Sequence, residues 1–153
     1  RGMVAAARAE APAAPVVLAG FSMAGQLCGQ VASTLVWDVP VAVMSPSDSA
    51  AAVFVDGPLS KSVAWPALGE GGRAKLAELL EQFGLRGLAP PPTKRRILVA
   101  TRRDGIVPPA AFDRVAAAWQ VAPRWLEGGH VSALIFGGAA LRSAVLEVLP
   151  RSL

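Results

Sequence analysis

Short apolar runs without alternation recur along this chain, each followed by small or polar residues. Pro15-Val16-Val17-Leu18-Ala19, Val41-Ala42-Val43-Met44 and, after its two arginines, Arg95-Arg96-Ile97-Leu98-Val99-Ala100 are of this kind, and Pro123-Arg124-Trp125-Leu126-Glu127 is a fourth, short strand candidate. Runs of this length with no polar face predict strands buried on both sides, as in a parallel sheet with helices on both faces. Helical spacing fills the gaps. Gln26 to Ala32 follows the first run, Arg73 to Phe83 sets Leu76, Leu79, Leu80 and Phe83 on one face, and Pro109 to Trp119 and Val131 to Leu149 complete the set. The alternation predicts an α/β fold with a mostly parallel sheet.

The first run enters Gly20-Phe21-Ser22-Met23-Ala24-Gly25 directly, and a helix pattern follows at once. A strand, a sharp turn and a helix in that order lift the central serine clear of the sheet edge, provided that the residues two before and two after it are small. Gly20 and Ala24 meet that demand. Ser22 is therefore the candidate nucleophile, and the backbone N–H of Met23, at the start of the helix, is the candidate oxyanion donor. A plain helix N-cap serine is the competing reading.

Downstream order discriminates between the two, because a serine nucleophile needs a base and the base an orienting acid. The third run delivers Thr101-Arg102-Arg103-Asp104-Gly105, which places Asp104 just past the end of a buried strand. An Asx turn at Asp104 is compatible with that role. Asp38, Asp48, Asp56 and Asp113 are placed less well: before a strand, ahead of a long excursion, or inside a helix. The fourth run ends in Gly128-Gly129-His130, and the glycine pair lets the chain turn the imidazole toward the sheet edge. His130 is the single histidine of the chain. Ser22, Asp104 and His130 thus occur in the order expected of a catalytic triad.

At 153 residues, 53% of them hydrophobic, the chain is long enough for one domain with a real core, and alanine supplies much of the apolar content. The best candidate for a membrane span, Val131 to Leu141, stops at Arg142, short of the ~18 residues that spanning requires. One cysteine and one histidine exclude an intrachain disulfide and argue against a zinc site, and Cys28 reads as a small core residue. The net charge of +4 is modest and predicts no nucleic-acid partner. Its clusters, Lys94-Arg95-Arg96 and Arg102-Arg103, read as solvated strand ends, with peripheral contact to anionic lipid as the alternative.

Residues 50–92 form an excursion between the second and third runs. They carry more apolar residues than a loop needs, in Ala51 to Trp65 and in the helix from Arg73, before Gly84, Gly87 and Pro90-Pro91-Pro92 break the pattern. One reading is a helical connection packed on the sheet. The other is a cap over Ser22 whose Phe54, Leu59 and Trp65 line an acyl pocket.

Three blocks resemble one family: the elbow with Ala32-Ser33, then Val53-Phe54 and Gly57 through Trp65, then Trp125-Leu126-Glu127-Gly128-Gly129-His130-Val131-Ser132-Ala133. Together they are similar to the α/β-hydrolase domain-containing protein eighteen-like family, long catalogued as a domain of unknown function, over Pro15 to Leu149. The phrase around Leu59-Ser60-Lys61-Ser62 and Trp65 is the most specific part. The family pattern Gly-x-Ser-Met-Gly-Gly-His is changed here to Ala24 and Gln26, which leaves His130 as the one possible imidazole base. The resemblance implies an α/β-hydrolase fold represented by its carboxy-terminal half. On that view residues 1–153 are a single, amino-terminally truncated domain, Arg1 to Ala14 ends a preceding helix and its loop, and the second oxyanion donor and any targeting segment lie upstream of Arg1. No compartment is assigned.

The function expected from these features is a cofactor-independent serine hydrolase acting on small acyl esters, lipid-like in their acyl part. The rival expectation is a catalytically inactive fragment or pseudo-enzyme that serves as an interaction module.

Overall fold

The computed structural model describes residues 2–35 and 38–149. Trp37-Asp38-Val39-Pro40 reads in the sequence as the connection that precedes the second strand, and Trp37 lies outside the described residues. Helix α1 (Gly2–Glu10) buries Val4 against Leu35 and Val39. Strand β1 (Leu18–Phe21) leads through Ser22 into α2 (Met23–Thr34), and β2 (Val41–Met44) precedes the short helix α3 (Ala51–Phe54). Two 3-10 turns, Pro58–Ser62 and Trp65–Leu68, bring the chain to α4 (Gly72–Glu81). After a third such turn, β3 (Arg96–Thr101), α5 (Pro109–Trp119), β4 (Arg124–Leu126), α6 (His130–Phe136) and α7 (Gly138–Val148) follow.

The four strands form one parallel sheet in the order β1-β2-β3-β4. Val41 and Val43 of β2 and Leu98 of β3 face Ala32 of α2 and Val115 and Trp119 of α5. Met44 and Val99 face the other way, against Ala144 of α7. Helices thus cover both faces, so the strands need apolar residues at every position rather than at alternate ones, which is why the sequence runs without alternation.

Boundaries shift from the sequence pattern by a few residues in several elements, and two larger differences have clear physical reasons. The first apolar run begins at Pro15, but the strand begins at Leu18, whose N–H makes the first bond toward β2, to Pro40 O at 2.9 Å. The helix expected over Val131 to Leu149 is two helices, α6 and α7, bent by 79° about Gly137. The Gly137 N–H closes α6 on Ala133 O at 2.9 Å, and a Cβ at Gly137 would stand 2.4 Å from that oxygen. The bend returns α7 to the sheet. Among the described residues no single helix is long and apolar enough to cross a membrane.

Because all strands run the same way, their carboxyl ends meet at one edge. Phe21 pairs with Met44, Met44 with Val99, and Thr101 with Leu126, so the segments that follow β1, β2, β3 and β4 converge there. Functional groups in open parallel sheets gather at that edge.

Candidate active site

Ser22 follows β1 immediately. Its N–H continues the ladder to Met44 O at 2.7 Å, and its backbone then turns to φ 56°, ψ −125°. A positive φ at a non-glycine residue costs on the order of 1–3 kcal/mol and persists only where packing enforces it. The packing is visible. A Cβ at Gly20 would stand 2.4 Å from Ala24 O, and one at Gly25 would stand 2.8 Å from Gly20 O. The close approach of strand and helix therefore rests on Gly20 and Gly25, while Ala24 is exposed and its methyl group is tolerated. Met23 opens α2, so its N–H belongs to the first turn, where backbone donors lack intrahelical acceptors.

His130 stands at the first position of α6 and is 7% exposed. Gly128 adopts φ 97°, a conformation that favours glycine. The Phe21 ring packs against the imidazole with centroids 4.9 Å apart. Between these supports the imidazole Nε2 is 2.8 Å from Ser22 Oγ, and Nδ1 is 2.8 Å from Asp104 Oδ2.

Asp104 lies three residues beyond β3 with its side chain fully buried. Its Oδ1 accepts the N–H groups of Ile106 at 2.9 Å and Val107 at 2.8 Å, the Asx-turn geometry compatible with the sequence. Its Oδ2 accepts the Thr101 hydroxyl at 2.5 Å as well as the imidazole. The structure thus brings Ser22, His130 and Asp104 into one hydrogen-bonded line. Thr101 was not foreseen from sequence. Its only sequence signal is a hydroxyl at the end of an apolar strand, three residues before the acid.

Beside Ser22 lies a cleft of about 320 Å³ whose lining is mostly apolar. Met23 and Leu27 of α2 form one side and Val53, Phe54 and Leu59 of the excursion another, with Phe83 beyond the end of α4. Trp65, which the cap reading of the excursion sets in this pocket, is not among its lining residues. Its Nε1–H donates to Ser60 O at 2.9 Å, and the Arg73 guanidinium lies 5.1 Å from its ring centroid, so the indole braces the excursion instead. Gln26 and Gln30, one turn apart on α2, both donate to Phe83 O, the former at 3.2 Å. Neither glutamine stood out in the sequence as a pocket residue.

Asp48, passed over as a candidate acid, has a structural place. Its fully buried side chain accepts Arg114 Nε at 2.5 Å and Arg114 Nη2 at 3.2 Å, with Arg86 Nη1 at 3.4 Å from Oδ2. The carboxylate ties the loop after β2 to α5 and to the segment after α4. Its hydrogen bond raises the Arg114 pKa above the usual guanidinium range, against a smaller opposing effect of burial. Cys28 is a half-buried thiol on α2 beside the core, and burial pushes its pKa up.

No family model matches the chain, and no curated protein matches it. Solved structures do. The enol-lactonase from Burkholderia xenovorans LB400 superposes with a TM-score of 0.57 at 19% identity, over 96% of this chain and 70% of that one. This chain has the α/β-hydrolase fold. A hydrolase from Pseudomonas aeruginosa PA01 gives a TM-score of 0.52 at 17% identity, over 96% of this chain and 69% of that one. At such identities the likeness is one of fold, and the chemistry of this α/β-hydrolase fold rests on its own side chains.

Proposed function

We propose that the chain is a serine hydrolase that cleaves carboxylic esters with an apolar, lipid-like acyl group. The observation that carries this reading is the unbroken line Ser22 Oγ, His130 Nε2, His130 Nδ1, Asp104 Oδ2, with 2.8 Å at each of its two links. In the proposed reaction His130 takes the proton of Ser22 as Oγ bonds to the ester carbonyl carbon. The resulting oxyanion is held by the Met23 N–H. His130 then returns the proton to the leaving alcohol as its C–O bond breaks, leaving an acyl-serine. Water, deprotonated by the same imidazole, releases the acid and restores Ser22. Asp104 holds the imidazole with Nδ1–H and stabilises its positive charge.

The acyl preference rests on the apolar cleft beside Ser22 and on the excursion 50–92 that forms one of its walls in the manner of a cap. The resemblance of the blocks around Ser22, Leu59 to Trp65 and His130 to the eighteen-like family supports the same class. No cofactor takes part in these steps.

The test is reaction with a fluorophosphonate probe, which reports an activated serine without a known substrate. Labelling is expected in the parent protein and absent from Ser22→Ala and His130→Ala. Well-folded protein that stays unlabelled would overturn the reading and favour an inactive interaction module.

A further inference from the structure

The hydrogen-bonded line does not end at Asp104. Thr101, fully buried at the last position of β3, donates to Asp104 Oδ2, the same oxygen that faces His130 Nδ1. Behind it stands Ser45, the residue after β2, with its Oγ 3.3 Å from Thr101 Oγ1 and 1% exposure. Ser45 repeats the backbone device of Ser22 on the neighbouring strand. Its N–H extends the ladder to Val99 O at 2.8 Å, and its φ is then 47°, a left-handed conformation for a non-glycine residue. Strain of this kind needs a compensating contact, and the hydroxyl pair is one.

The direction of each bond follows from the chemistry of the groups. A carboxylate only accepts, so the single Thr101 proton goes to Asp104, and Ser45 must supply the proton in its contact with Thr101. For the same reason the imidazole proton facing Oδ2 is on Nδ1, which leaves the Nε2 lone pair for the Ser22 hydroxyl. Oδ1 is held separately by the N–H groups of Ile106 and Val107. With Thr101 on Oδ2, both oxygens are fixed and the carboxylate cannot rotate away from Nδ1. Without Thr101, only the imidazole itself would restrain Oδ2.

We infer that Thr101 and Ser45 are positioning residues. Their buried hydroxyl pair, running from the end of β2 through the end of β3, locks the plane of Asp104 and thereby the tautomer and aim of His130. The catalytic consequence rests on the serine-hydrolase reading above, whereas the effect on the imidazole does not.

His130 being the single histidine, its two ring nitrogens can be read without assignment by nitrogen-15 NMR of the untagged protein. The test compares the parent with Thr101→Val, which keeps the β-branched shape and removes the hydroxyl, and with Thr101→Ser, which restores it. Thr101→Val is expected to change a single Nδ1–H tautomer into a mixture and to slow fluorophosphonate labelling about 10-fold, well short of the roughly 10⁴-fold cost of a triad in the wrong tautomer. Thr101→Ser is expected to recover both. Unchanged nitrogen signals and an unchanged labelling rate in Thr101→Val would overturn the inference.

If Thr101→Val fails to fold, Ser45→Gly decides the question. Glycine relaxes the positive φ, so thermal stability is expected to hold while labelling slows several-fold; no change in labelling or tautomer would overturn the inference. A tautomer shift in Thr101→Val together with a parent protein that never labels would uphold the positioning role and sink the hydrolase reading.

Discussion

The amide of Arg103 donates to the carbonyl oxygen of Gly128 at 3.0 Å, a backbone bond that joins the loop that carries Asp104 to the loop that carries His130. The next residue, Gly129, lies so close to the first loop that a Cβ on it would stand 2.9 Å from Arg103 O. Asp104 and His130 are therefore registered by backbone contact as well as by their side chains.

Gly129→Ala should push the two loops apart. Its φ of −105° is open to alanine, so the effect is steric and local. Displacement of about 1 Å can cost ~100-fold in a catalytic step. The expected outcome is a fall of 10- to 100-fold in the fluorophosphonate labelling rate with a loss of about 1–2 kcal/mol in stability, measured by stopped labelling and by urea unfolding on the same samples. A labelling rate equal to the parent would show that the contact is not needed.

Ser22 should trade stability against chemistry. At φ 56° glycine is unstrained and alanine is not, so Ser22→Gly is expected to be more stable than Ser22→Ala by about 1 kcal/mol, and both should be unlabelled. Equal unfolding midpoints for the two variants would argue against strain at the elbow.

Asp48 should matter for folding rather than for reaction. Asp48→Asn removes the charge that two guanidinium groups share at a fully buried carboxylate. Breaking a buried pair costs about 3–5 kcal/mol, and both arginines retain 44% exposure, so a loss of about 2–3 kcal/mol is expected. Urea unfolding would report it as a lower midpoint. Labelling of the folded fraction should stay within about 3-fold of the parent.

The two glutamines should govern the acyl group accepted. Gln26 and Gln30 hold the Phe83 carbonyl and with it one wall of the cleft. Each neutral bond contributes about 1 kcal/mol, so Gln26→Leu combined with Gln30→Leu is expected to raise KM for long-chain p-nitrophenyl esters several-fold and to leave kcat for the acetate ester nearly unchanged. A uniform fall in kcat across chain lengths would place the defect at the serine instead.

Much of this architecture can be read without coordinates, and the reason is local. β2 at Val41–Met44 and α5 at Pro109–Trp119 coincide with their apolar patterns, because periodicity and burial act on neighbouring residues. The features that the pattern does not show depend on which partner a side chain meets, whether near or far along the chain. The sequence shows Asp48 only as an acid poorly placed to orient a base, and its role follows from Arg114, 66 residues on, which holds it. Trp65 lines the pocket only on the cap reading of the excursion, and its N–H and ring face are engaged instead by nearby Ser60 and Arg73.

The sequence by itself determined the alternation of buried strands and helices, the turn at Ser22 and the order Ser22, Asp104, His130. Such features depend on steric and solvation preferences that each residue carries with it. Only the tertiary structure decided that the carboxyl ends of four parallel strands bring those three side chains within 2.8 Å contacts, and that Thr101 and Ser45 stand behind the acid. The physical reason is range: a hydrogen bond acts over about 3 Å in space. Ser22 and His130 are 108 residues apart along the chain, and only the folded sheet closes that distance.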